Sequence, residues 1–166
     1  SNAAVFLLAP NQTEKTFSLY QYKAKAWSVL DAGHVDTGTP DICTMFAGLD
    51  CSPAGRVYAT VGDNSSGTYL CTFYKYDGTV LVKAWNPLPG VSFDDKECQW
   101  DLTFDANGSP VIACIPTGET NAVKLFCMDE ETKDWGPAIE LGEAAGSYLA
   151  TGRADNGHVY IADSVE

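Results

Sequence analysis

The sequence predicts an all-β fold built from a repeat of about fifty residues, and three observations predict it. First, a short apolar run occurs four times: Ala4-Val5-Phe6-Leu7-Leu8-Ala9, Arg56-Val57-Tyr58-Ala59-Thr60-Val61, Pro110-Val111-Ile112-Ala113-Cys114-Ile115 and His158-Val159-Tyr160-Ile161-Ala162-Asp163. Its anchor valines, Val5, Val57, Val111 and Val159, are 52, 54 and 48 residues apart. A spacing on this scale marks a repeat architecture. Second, a turn signal ending in glycine precedes three of the four copies. Third, no stretch of useful length carries helical periodicity.

The elements follow in order. The first copy of the run, 4–9, has no partner strand ahead of it. A polar loop, Asn11 to Lys15, leads to an alternating strand, Phe17 to Tyr22, and then to a tryptophan-bearing strand, Ala26 to Leu30. The second repeat opens with a strand from Ile42 to Leu49. The turn Ser52-Pro53-Ala54-Gly55 delivers the run at 56–61, and strands Leu70 to Tyr76 and Lys83 to Asn86 complete it. The third repeat has Cys98 to Phe104, the turn Asp105-Ala106-Asn107-Gly108, the run at 110–115, Val123 to Met128, and Asp134 to Pro137. The last has Ser147 to Arg153, the turn Ala154-Asp155-Asn156-Gly157 and the run at 158–163. Glycine accepts positive φ without steric cost, and Asn-Gly between apolar runs is a strong hairpin signal. The repeated run is apolar on both faces, as a sheet packed between two others requires. The alternating strand has one drier and one wetter face.

Four short strands in about fifty residues is the arithmetic of a β-propeller blade, and the chain holds roughly three blades. Residues 1–3 have the character of a tag-removal scar and are set aside. Residues 4–166 are expected to form one propeller-like domain: a partial repeat at 4–38, full repeats at 39–90 and 91–145, and a partial repeat at 146–166. Three blades cannot close a ring alone. Two chains are therefore expected to complete a six-bladed homodimer, or the chain is part of a longer protein.

The segment Ala154-Asp155-Asn156-Gly157-His158-Val159-Tyr160-Ile161-Ala162-Asp163 resembles the repeat of NHL-type propellers within the β-propeller superfamily. There an Asp-x-x-Gly turn leads into a Val-Tyr-Val-Ala-Asp strand. Asp105 to Ile115 and Ser52 to Val61 are looser versions. The tryptophan strands resemble, more loosely, fucose-binding and tachylectin-like lectin propellers. The fucose-binding kind uses an arginine at each site, and Arg56 and Arg153 cannot supply one per repeat.

Net charge is −12, which disfavours nucleic acid and an anionic membrane surface as partners. No apolar run approaches the ~18 residues of a transmembrane helix. Six cysteines are present without a Cys-x-x-Cys pair. They are expected to be buried thiols, although Cys114 and Cys127, on adjacent strands, are placed for a bridge. The compartment is left open by the sequence, with a secreted or cell-surface setting favoured over the rest.

The loops after the repeated run share one face with the loops into the next repeat. That gathers His34, Asp36, Asp41, Asp63, Asn64, Asp94, Asp95, Glu97 and Glu119. Converging carboxylates suit a hard cation such as calcium, or the hydroxyls of a sugar. Trp100 stands where other repeats have Ala47 and Leu149, and so marks a stacking platform or a wider core gap. The candidate binding residues are Trp100, Asp94, Asp95, Asp63, Asp41 and Glu119. No nucleophile, zincin or phosphate-loop motif is present, and His158 reads as a turn residue. The expected function is a non-catalytic module binding a carbohydrate or a protein. The alternative is a propeller-type hydrolase or lactonase using these carboxylates and a divalent metal, with paired acids such as Asp94 and Asp95 acting on a glycoside.

Overall fold

The computed structural model describes residues 4–11, 13–14, 16–34, 42–63, 70–91, 93, 99–116, 122–129, 131–143 and 149–163. They form antiparallel strands throughout, with no helix among the described residues. The first sheet is β1 (Val5–Asn11), β2 (Thr16–Lys23) and β3 (Ala26–His34), in that order. The second is β4 (Ile42–Cys51), β5 (Val57–Asp63), β6 (Leu70–Tyr76) and β7 (Leu81–Trp85). The third is β8 (Gln99–Phe104), β9 (Pro110–Ile115) and β10 (Ala122–Asp129), with β11 (Asp134–Trp135) and β12 (Ile139–Glu143) both paired to β10. The fourth is β13 (Leu149–Arg153) and β14 (Val159–Asp163). The four sheets are separate, and none closes on itself among the described residues.

The glycine turns form hairpins as their composition dictates. Gly55, Gly108 and Gly157 have φ of +76°, +87° and +82°. Each glycine N–H donates to a carbonyl three residues back: Ser52 at 2.8 Å, Asp105 at 3.1 Å and Ala154 at 2.9 Å. One left-handed residue after a right-handed turn is the form a glycine-bulge hairpin takes. His158 follows the last turn, is exposed, and donates its backbone N–H to Asn156 Oδ1 at 3.1 Å.

The repeated run is buried on both faces in the two middle sheets. In β5, Val57, Ala59 and Val61 join Phe17 and Leu19 of the first sheet in one core cluster. Tyr58, from the opposite face, joins Leu102, Phe104 and Ile112 of the third sheet in another. A smaller cluster of Ile115, Val123 and Leu149 links the third sheet to the fourth. The sheets thus pack face to face in chain order. Their first strands lie together, with β8 against both β4 and β13.

The tryptophans show what this layering does. Trp85 is 7% exposed and stacks on Tyr58 at 4.9 Å and 12°. Trp135 packs on Phe73 at 4.9 Å and donates its Nε1 proton to Asn86 O at 2.9 Å. Trp27 is 53% exposed and touches Tyr22 at 5.3 Å, on the face of the first sheet that no other described sheet covers.

Two expectations are corrected. The tryptophan strand of the third repeat is split. Gly136 turns back on Cys127 O at 2.9 Å, and after Pro137 the chain re-forms a strand, β12, that the sequence reading lacked. The Cys114–Cys127 bridge does not exist. Cys114 pairs in register with Lys124 and Cys127 with Val111, an odd offset that puts the two thiols on opposite faces. Neither forms a disulfide: Cys114 is buried, as is Cys71, in keeping with apolar thiols, but Cys127 is exposed.

Candidate functional site

A polar cavity of about 230 Å³ opens between the first strands of three successive sheets. β4 contributes Asp50, β8 contributes Asp101 and Thr103, and β13 contributes Thr151 and Arg153. Strands buried on both faces ordinarily read as apolar runs, so this set of charged and hydroxyl groups is out of pattern.

Asp101 is tied down. Its Oδ1 accepts the Leu102 N–H at 3.0 Å. Its Oδ2 accepts the Thr151 N–H at 2.6 Å and the Thr151 hydroxyl at 3.0 Å, which fastens β8 to β13. Asp50 is less well served. Its Oδ1 accepts the neighbouring Cys51 N–H at 2.6 Å. Burial pushes the Asp50 carboxyl up from its ordinary value; the Cys51 amide and the Thr103 hydroxyl pull it down, the Asp101 charge pushes it up, and Arg153 pulls it down. Burial also raises the Cys51 thiol, with the Asp50 charge adding to it. The Thr103 side chain is 1% exposed, and its hydroxyl makes no full hydrogen bond among the described residues, although it flanks Asp50. A buried hydroxyl left without a partner is uncommon in folded proteins. Thr72 carries the other such hydroxyl, but it lines none of these cavity walls.

The residues singled out from the sequence fall elsewhere. Trp100 lies on β8, half-buried, edge-on to Phe93 at 4.7 Å, and donates its Nε1 proton to Thr60 Oγ1 at 3.1 Å. It stands next to Asp101 in the chain but does not line the cavity. Asp63 ends β5, opposite Ile42 and Leu70, and its side chain lies outside the described set. Asp41, Asp94, Asp95 and Glu119 lie outside the described residues, as do Asp36, Asn64 and Glu97. Among the described residues no three His, Cys, Asp or Glu side chains converge as a cation site would need. No described helix is long and apolar enough to cross a membrane.

Sequence reasoning searched loops for acids and so missed Asp50, Asp101, Thr103, Thr151 and Arg153, which sit within strands. The available signal was charge inside first strands that must be covered on both sides.

The fold and the cavity define an all-β protein of packed antiparallel sheets with a polar pocket between its first strands. A scan against protein-family models gives no match, and a search of the curated proteins gives none. Solved structures do resemble the chain. A protein of unknown function from Dyadobacter fermentans superposes with a TM-score of 0.62 at 10% identity, over 88% of this chain and 43% of that one. The chain therefore spans less than half the length of that structure, and at this identity the likeness is one of fold alone. A fucose lectin from Kordia zhangzhouensis in complex with methyl-fucoside gives a TM-score of 0.46 at 11% identity, over 82% of this chain and 88% of the lectin.

Proposed function

We propose that the chain is a non-catalytic binding module whose cavity between β4, β8 and β13 takes a small polyol, a single carbohydrate ring in the first instance. The observation that carries this reading is the buried Thr103 hydroxyl, which makes no full hydrogen bond beside the partly desolvated Asp50 carboxyl. Both groups gain from a ligand that brings hydroxyls. Carboxylates accept from hydroxyls, Arg153 donates to them, and Thr103 and Thr151 do both. Mixed charge within one cavity suits a neutral polar ligand better than an ion. At about 230 Å³ the cavity is smaller than the roughly 300 Å³ where drug-sized pockets begin, which favours one ring over a chain of sugars. Trp100 is proposed, from its place in the sequence, as a binding residue that stacks on a ligand. Asp41, Asp63, Asp94, Asp95 and Glu119 are proposed, from their places in the sequence, as further contacts to a sugar or a protein partner.

The test is calorimetric titration of monosaccharides against the parent and the Asp101→Asn and Thr103→Val variants. A sugar that binds the parent and weakens about tenfold or more in both supports the reading, since each loses a hydrogen bond to the ligand. Absence of binding across common hexoses, fucose and uronates would sink it. Hydrolysis of a test glycoside or lactone in the same assays would instead favour the hydrolase alternative, and a dependence on added calcium would favour its metal.

We further propose that the sheets are propeller blades and that two chains complete a six-bladed ring, the two-stranded fourth sheet of each sharing a blade with the first sheet of the other. The support is a face of exposed apolar residues on the first sheet, Val5, Leu7, Trp27 and Val29, matched by exposed Tyr160 on the fourth.

A further inference from the structure

We infer that a second cavity, sharing no residue with the first, is a binding site for a small oxyanion, a sulfate-, phosphate- or carboxylate-type group. It measures about 190 Å³ and lies beside the last two strands of the second sheet. It is lined by Arg56, Lys75, Lys83 and Lys133 together with Tyr58 and Trp85. A neighbouring cavity of about 220 Å³ shares Lys83, Trp85 and Lys133 and adds Asn86.

The concentration of charge is the first argument. The chain has ten cationic residues against 22 acidic ones, and four of the ten line this one cavity. A solvated face of an acidic protein has no reason to collect its scarce cations around one hollow. Arg56 and Lys83 are exposed and form no ion pair among the described residues. Lys75 also acts on the Asp77 carboxylate.

The second argument is that the hollow is built. Lys75 stands in one cross-strand row with Tyr58 and Val82. The tight stacking of Tyr58 on Trp85 makes that part of the lining rigid. The turn bearing Lys133 closes with its N–H on Asp129 O at 2.9 Å and holds Lys133 at φ +62°. The Trp135 indole then pins that turn to Asn86, three residues beyond Lys83, across the gap between two sheets. Sequence-distant cations are thereby brought to one cavity before any ligand arrives.

The chemistry follows from the cations. A guanidinium offers a planar fork to two oxygens of one anion, and ammonium groups add point charges around it. A long polyanion is opposed by the net charge of −12. A small anion, within about one Debye length of roughly 10 Å, is governed by the local cations instead.

The experiment is calorimetric titration at low salt with inorganic sulfate, a sulfated monosaccharide and its neutral parent sugar. Sulfate-bearing ligands are expected to bind, with affinity falling as sodium chloride rises. Arg56→Gln and Lys83→Gln should each weaken binding about tenfold, as loss of a charge-assisted contact implies. Lys23→Gln, an equal change of charge on the β2–β3 hairpin, should leave it unchanged, and so should Thr103→Val in the other cavity. Binding of inorganic sulfate alone identifies a free anion as the ligand; tighter binding of the sulfated sugar identifies an ester. Either result supports the site. No binding of either at about 10 mM overturns it. So does a loss in Lys23→Gln equal to that in Lys83→Gln. Both substituted side chains are exposed, so thermal melts should match the parent.

Discussion

The Thr103 hydroxyl and the Asp50 carboxyl give the residue scale its two sharpest tests, because each lowers the stability of the empty fold. Thr103→Val keeps the shape of the side chain and deletes a buried hydroxyl that has no full hydrogen bond. Removing an unsatisfied buried polar group relieves a cost of about 1–3 kcal/mol. The variant is expected to be about 1 kcal/mol more stable than the parent in urea denaturation. Equal or lower stability would mean that the hydroxyl is satisfied in solution. Asp50 titrates in a way that fixes a sign. Burial raises its carboxyl in the folded state, so the fold holds that proton more tightly than the unfolded chain does. The resulting stability is present below the unfolded pKa and is lost as pH rises through the folded one. Asp50→Asn removes the titration. It should therefore be more stable than the parent near pH 7, with the gap narrowing toward about pH 4, where the ordinary carboxylate begins to take up its proton. Denaturation curves at the two pH values decide it, and a gap that widens on acidification would reverse the assignment.

At the scale of elements, the turns connect one sheet to the next as well as one strand to its neighbour. A Cβ on Gly157 would collide with the Cα and Cβ of Ala106, in the turn of the preceding sheet. A Cβ on Gly55 would meet nothing within 4 Å. Both glycines have positive φ, so alanine at either suffers the left-handed penalty of about 1–2 kcal/mol. Gly55→Ala should show that loss alone, and Gly157→Ala a larger one. Equal losses would mean that the two turns are not in contact. These elements were legible in the sequence because their signals are local. Asn-Gly and Ala-Gly before an apolar run dictate a hairpin, and the repeated run announces double-sided burial by having no polar face. The split after Trp135 was not legible, because Gly136-Pro137 reads as an end and nothing local signals that Ile139 rejoins the same neighbour, β10. The polar pocket was hidden for a related reason. Asp50, Asp101 and Arg153 are scattered singly through three strands, and only the packing of β4, β8 and β13 brings them together. The cationic hollow depends likewise on a tryptophan crossing between sheets, a contact 49 residues long in sequence.

For the whole molecule, the decisive contrast is between the middle sheets and the outer ones. In β9 every residue is buried, since sheets stand on both sides of it. In the first sheet, Phe6 and Leu8 point into a core while Val5 and Leu7 are 55% and 49% exposed. On β14, Tyr160 is 58% exposed. The same kind of strand is thus half-satisfied at each end of the stack. Val5, Leu7, Trp27 and Val29 on a single face exceed the scattered apolar residues normal on a surface, and such patches mark association. β1 is also paired on one edge only among the described residues, which leaves a row of backbone donors and acceptors for another strand. A second copy answers both needs if its fourth sheet joins the free edge of its partner's first sheet, which brings its third sheet toward the exposed face, and the reverse holds across the two-fold axis. Light scattering over a range of concentrations should then give a dimer mass. Trp27→Glu and Val29→Lys, each placing a charge on the exposed face, should shift the mass to that of a monomer, with little effect on the buried clusters. A parent that remains monomeric at about 100 μM, a concentration at which even micromolar association is complete, would rule out the closed pair. The polar cavity would then owe nothing to a ring, since β4, β8 and β13 line it within one chain.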